Sequence, residues 1–175
     1  MNIAIILQAF TDIAFMRRGP QDIPASRFLF IFTLIGYVLM SLLHLELRAV
    51  DSWQENLLLS VLDIVLLLLL FYVLLAVFRR SSRYLQTITA LLGVNLLVTA
   101  LQLPLYVWRH LIDAGPDVMT LPDMALLVLL VWFLAIVAHV MRHALEIPYA
   151  GAAVISIMYF VLFQTLAGLL VIPPP

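Results

Sequence analysis

The chain contains no cysteine and no lysine, and only 11% of its 175 residues are charged. Without cysteine there is no disulfide framework, no thiolate nucleophile and no Cys-ligated metal site. A formal net charge of −1 leaves no basic stripe to neutralise phosphates, which excludes nucleic acid as a partner. Glycine is scarce as well. GxSxG, GxxxxGK and GxGxxG are all missing, and with them the nucleophile elbow and the phosphate-cradling loops. Ser41, Ser60 and Ser156 have no histidine at a suitable depth to act as base. No cofactor is expected, and catalysis is the less favoured class.

What the chain has is apolar surface. Hydrophobic residues make up 65% of it and the mean hydropathy is +1.15, against roughly 45–50% apolar residues in soluble domains. A helix needs ~20 apolar residues to cross ~30 Å of hydrocarbon. Five runs qualify, at about 28–44, 57–78, 85–108, 124–141 and 149–172. They show little period-two alternation, which argues against a membrane β-barrel. The expected fold is therefore all-α: one polytopic membrane domain over residues 1–175, with five transmembrane helices and an amphipathic interfacial helix at residues 1–18. The first and fourth runs are short and would draw on flanking residues or local thinning.

Every basic residue is an arginine, and the arginines fall unevenly between alternate loops. Arg17, Arg18, Arg27, Arg79, Arg80, Arg83 and Arg142 share one side, while Arg48 and Arg109 share the other with Glu46, Asp51, Glu55, Asp113, Asp117 and Asp123. The positive-inside rule then places the amino terminus in the cytoplasm and the Pro173-Pro174-Pro175 tail in the periplasm. The missing lysine and the missing targeting segment favour a bacterial inner membrane. At the amino terminus Ile3, Ile6, Leu7, Phe10, Ile13 and Ala14 recur at helical spacing. They form a stripe suited either to the cytoplasmic interface of the bilayer or to plugging the bottom of the bundle. A secretory signal would need a basic leader and a small-residue cleavage site. Arg17, Arg18, Gly19, Pro20, Asp22 and Pro24 then form an interfacial turn, with Pro24 suited to the first turn of the following helix.

Two polar constellations stand out. Asp63 is the one carboxylate well inside a run, and a mid-membrane Asp costs ~2.5–3.5 kcal/mol on insertion scales, which the run's leucines can offset at ~0.3–0.6 kcal/mol each. Asn95, Thr99 and Gln102 form one stripe on the third run, and Gln164 with Thr165 reaches the same level on the fifth. An intramembrane polar cluster of Asp63, Asn95, Thr99, Gln102 and Gln164 is expected, serving either as a proton or ligand site or as interhelical glue. The second constellation is His139, His143 and Glu146, spaced on one helical face as metal ligands could be, or as interfacial anchors.

The interfacial helix, the RRGPQDIPASRF stretch at 17–28 and five spans with the amino terminus inside together resemble the Ypt-interacting-protein (Yip) family, in particular its small bacterial relatives. Eukaryotic members carry an acidic-Leu-Tyr-Gly-Pro motif before the spans. Here Gly19-Pro20 matches, the rest of the motif departs from it, and the long cytosolic leader is absent. The resemblance implies a non-enzymatic membrane protein, associated in eukaryotes with Rab GTPases, vesicle traffic and membrane shaping. Rab binding does not carry over without the motif.

Three functions follow as expectations. The first is a non-enzymatic, Yip-like protein that organises membrane or serves as a subunit of a membrane complex, with the bilayer and another membrane protein or a second copy of itself as partners. The alternative is a small oligomeric transporter or channel that uses Asp63 and the polar cluster. A metal-dependent enzyme built on His139 and His143 is the third.

Overall fold

The longest helix organises the rest. In the computed structural model, which describes residues 3–47, 53–112, 115 and 118–170, α4 runs from Tyr84 to Leu111, about 42 Å at 1.5 Å per residue. Around it stand α1 (Ile3–Ala14), α2 (Arg27–Leu47), α3 (Trp53–Val77), α5 (Leu121–Leu145) and α6 (Tyr149–Leu170). α4 packs against α1, α2, α3 and α5, and α6 packs against α5 and α3. Stretches of α3, α4, α5 and α6 are long and apolar enough to cross a bilayer, whereas the described apolar stretch of α2, Arg27–Leu43, is shorter. The architecture is that of an all-α membrane protein. The prolines at 173–175 lie outside the described residues, as do Arg48, Asp51, Asp113 and Asp117 of the expected loops.

The two ends of the bundle are built differently. At the arginine-rich end, α4 is buried on every face from Thr87 through Val94, and α5 from Ile136 through Met141. α1 and the segment after it cause this sheathing. Phe10, Ile13 and Ala14 of α1 are buried against the bundle, while Ile5 and Leu7 stay exposed. The Phe10 ring sits against Gly93, where a Cβ would run into it. Of the expected stripe, then, the carboxy-terminal half is engaged with protein.

The turn after α1 is wedged between α4 and α5. A single 3-10 turn over Pro20–Asp22 is closed by the Gly19 N–H donating to the Asp22 carboxylate at 3.0 Å. Pro20 and Ile23 are buried, and Gln86 of α4 donates to the Ile23 carbonyl at 2.9 Å. Arg18 pairs with Asp12 at 3.3 Å. Pro24 does not enter the first turn of α2, which starts at Arg27. Ser26 takes that position instead, because its hydroxyl accepts from the Leu29 N–H and its carbonyl from the Phe30 N–H, a capping role that proline cannot fill.

α1, α3 and α5 each end at this same end of the bundle on a non-glycine residue in the left-handed region: Met16, Arg79 and Glu146, all at φ 57°. The following N–H reaches back to Asp12, Leu75 and Arg142 respectively, which satisfies helix-end carbonyls as a Schellman closure does. At the opposite end, Thr120 and Asp123 cap α5 reciprocally, and Arg109 of α4 pairs with Asp123 at 3.1 Å.

α3 is the least embedded helix. It buries one stripe, Leu67, Phe71 and Leu75, and turns Val65, Leu69 and Val73 outward. Such an outward face suits lipid, where leucine-rich surface has nothing to gain from burial in protein.

Candidate intramembrane site

Asp63 lies about 15 Å along α3 from its start and about 21 Å from its end, at 1.5 Å per residue, so it is remote from either end of the helix. Three helices converge on it. Tyr159 of α6 donates its hydroxyl to one carboxylate oxygen at 2.6 Å, and Tyr37 of α2 donates to the other. Both tyrosines are buried. A carboxylate that receives a donor on each oxygen has its charged form satisfied in part by the fold. The contact also anchors α3, which is otherwise held by its apolar stripe, by the Tyr84 hydroxyl donating to the Leu68 carbonyl at 3.2 Å and by the Tyr72–Tyr84 ring contact.

The same carboxylate opens on a cavity of about 210 Å³. Asp63, Asn95, Thr99, Gln102 and Gln164 all line it, so the five side chains of the expected polar cluster share one space. Ser41 and Ser60 add hydroxyls. Thr165 does not reach it; its hydroxyl turns back to the Val161 carbonyl at 2.8 Å. The volume is below the roughly 300–1,000 Å³ of pockets for drug-sized ligands and well above the ~30 Å³ that one water occupies. Thr99 is buried, Asp63, Asn95 and Gln102 are half-buried, and Gln164 is exposed, so the lining grades from core to rim. Gln102 lies about 13 Å from the end of α4 and Gln164 about 9 Å from the end of α6. The polar lining therefore extends toward the end of the bundle opposite the arginine-rich turns. α1 fills space beside α4 and α5 only at the arginine-rich end, and the cavity occupies the other half.

Phe133, Phe160 and Phe163 complete the wall together with the two tyrosines. The lining residues include one carboxylate and no arginine or histidine.

The Asp63–Tyr159 pair yields a stability prediction. Tyr159→Phe keeps the ring packed on Phe71 but removes a hydrogen bond to a charged group, which costs about 1.5–3 kcal/mol. In an Asp63→Leu background the same substitution should cost close to zero, because no acceptor remains. Thermal or denaturant unfolding of the four proteins in detergent measures this coupling. Equal costs in both backgrounds would show that the hydroxyl does not serve the carboxylate.

His139, His143 and Glu146 turn to other partners. His139 Nε2 donates to the Arg18 carbonyl at 2.9 Å, and His143 Nδ1 to the His139 carbonyl at 2.8 Å. The imidazoles touch at a tilt of 54° with centroids 4.4 Å apart. Glu146 pairs with Arg83 at 2.6 Å and with Arg80, and Arg83 also donates to the His143 carbonyl at 3.1 Å. The group clamps the α3–α4 turn onto the end of α5. Among the described residues no three His, Asp or Glu side chains are grouped to hold a metal ion.

This clamp has a pH signature. The hydrogen bond from Arg83 holds the Glu146 carboxyl below the ordinary glutamate range, and the Arg80 and Arg83 charges add to it against an opposing desolvation. A depressed carboxyl contributes stability that is complete above its unfolded-state pKa and disappears as pH falls through the folded-state value. Wild type should therefore melt above Glu146→Gln at neutral pH, and the gap should close once the pH has dropped through the folded-state value. A gap independent of pH would contradict the clamp.

Comparison of the chain with protein-family models, with curated proteins and with solved structures finds no match.

Proposed function

We propose that this protein is a small non-enzymatic membrane transporter that carries protons by way of Asp63. The observation behind this reading is the convergence on one intramembrane cavity of a carboxylate, two tyrosine hydroxyls directed at it, and the side chains of Asn95, Thr99, Gln102 and Gln164. Retaining a carboxylate at that depth costs ~2.5–3.5 kcal/mol, whereas a leucine there would contribute ~0.3–0.6 kcal/mol favourably, and ionisable groups inside membranes mark ion and proton routes. Interhelical glue accounts for the tyrosine contacts, but not for a cavity beside the carboxylate. In the same reading the arginine-rich turns face the cytoplasm of a bacterial inner membrane, following the arginine asymmetry.

The test is reconstitution into liposomes that hold a pH-sensitive dye. With an imposed proton gradient and potassium with valinomycin to clamp the voltage, the protein should acidify the lumen several-fold faster than protein-free vesicles. Equal rates would defeat the proposal.

A second reading is the Yip-like one, membrane organisation or service as a subunit of a membrane complex. The helix–Gly19-Pro20–helix connection from α1 to α2 favours it. Deleting residues 1–16 should then abolish remodelling of vesicles, and normal remodelling by the truncated chain would dispose of it.

A further inference from the structure

The wall of the cavity says more about its occupant than the carboxylate alone. From the aromatic residues around Asp63 we infer that the cavity binds a small organic ammonium ion, which exchanges with a proton on that carboxylate. The inference rests on the transport reading above and names the substrate class.

Charge comes first. The lining offers one formal negative charge and no side-chain cation, so the complementary occupant is a proton or a cation. Ring chemistry then separates cations. Phe133, Phe160 and Phe163 contribute aromatic hydrocarbon to the lining, while Tyr37 and Tyr159 already occupy a lone pair on each Asp63 oxygen. A bare divalent metal ion demands six or more oxygen ligands, and phenyl rings are poor replacements for its water shell. A quaternary alkylammonium is weakly hydrated, is attracted to ring faces within about 6 Å, and needs a single counter-charge. The cavity, about 210 Å³, has room for an ion of a few carbons and its charge partner, and not for a drug-sized cation. Asn95, Gln102 and Gln164 add amide dipoles that can orient toward either occupant. The exchange balances: the carboxylic O–H bond breaks, the proton passes to bulk water, and the carboxylate keeps its electron pair as the ammonium takes the proton's place.

The full-length protein in zwitterionic nanodiscs, titrated calorimetrically with tetramethylammonium chloride, tests this. Saturable binding of one ion per chain is expected, weakened at least tenfold by Asp63→Asn and several-fold by Phe160→Leu, with Phe160→Tyr restoring it. The neutral isostere tert-butanol should give no binding. At a pH low enough to protonate Asp63, the heat should vary with the ionisation enthalpy of the buffer as protons are released. Absence of tetramethylammonium binding, or binding indifferent to Asp63→Asn or to loss of the Phe160 ring, overturns the inference. If proton flux through the wild type persists in that case, the transport reading survives and the occupant alone is wrong; if the flux is absent too, both fall.

Discussion

Asp63→Asn should reduce proton flux in liposomes to the level of protein-free vesicles, a loss of at least tenfold. Asparagine has the shape of aspartate and can accept from one of the two tyrosine hydroxyls through its carbonyl oxygen while its amide N–H donates to the other hydroxyl oxygen, but it cannot take up and release a proton. The loss would therefore come from chemistry and not from misfolding. Insertion should be unharmed, since a neutral amide at this depth removes a charge from hydrocarbon. Asp63→Glu keeps the titratable group but moves it by one methylene and should retain part of the flux. Wild-type rates in Asp63→Asn would mean that the carboxylate is a structural tie between α2, α3 and α6 and nothing more.

The second large effect is on the other half of the bundle. Gly93→Leu should destabilise the protein by about 3 kcal/mol, within the range for overpacking combined with loss of a buried aromatic contact. Glycine is required at this place for space and not for backbone freedom, because it is inside α4 and a Cβ there would meet the Phe10 ring. The ring has nowhere to retreat: Phe10, Ile13 and Ala14 are all buried on the same patch. α1 should detach, taking with it the Arg18 carbonyl that His139 holds. Trypsin then gains access to Arg17 and Arg18, so the variant should be cut there many times faster than wild type, with the remaining helices intact. Adding Phe10→Ala should recover part of the stability, as the leucine fills the vacated space. Unchanged stability and protease resistance in Gly93→Leu would show that α1 is not held by this contact.

Much of the helical layout can be read from hydropathy, because apolar runs of this length have few alternatives. The run expected at 57–78 falls in α3 except for Phe78 and that at 85–108 in α4, while the run at 124–141 falls in α5 and the described part of the run at 149–172 is α6. The polar lining of the cavity could be read as well, from a counting argument: helices joined in a hairpin place residues at equal distance from the turn at equal depth. The tyrosines could not. Tyr37 and Tyr159 are separated from Asp63 by 26 and 96 positions, and inside apolar helices they look like ordinary bulky filler. The available clue was that each buried tyrosine carries a hydroxyl needing an acceptor, and Asp63 was the strongest acceptor at that depth. Glu146 departs from its expected grouping for a related reason. Spacing along α5 groups it with His139 and His143, while the arginines that claim it come from the α3–α4 turn, which spacing on one helix does not reveal. Pro24 shows the limits of local rules, since a proline is welcome in a first helical turn yet Ser26 made the better cap.

The claim on which the account depends is that water reaches Asp63 from the end of the bundle opposite the arginine-rich turns. The absence of native cysteine makes the measurement clean. Single cysteines at Ser60, Gln102 and Val65 are exposed in sealed liposomes to a membrane-impermeant, positively charged thiosulfonate, and labelling is read by mass spectrometry. Ser60 and Gln102 line the cavity, whereas Val65 faces outward from α3. Rapid labelling at positions 60 and 102, with position 65 silent, is the expected result. Silence at all three would mean that the cavity is closed to water, and that no proton reaches the carboxylate by this path.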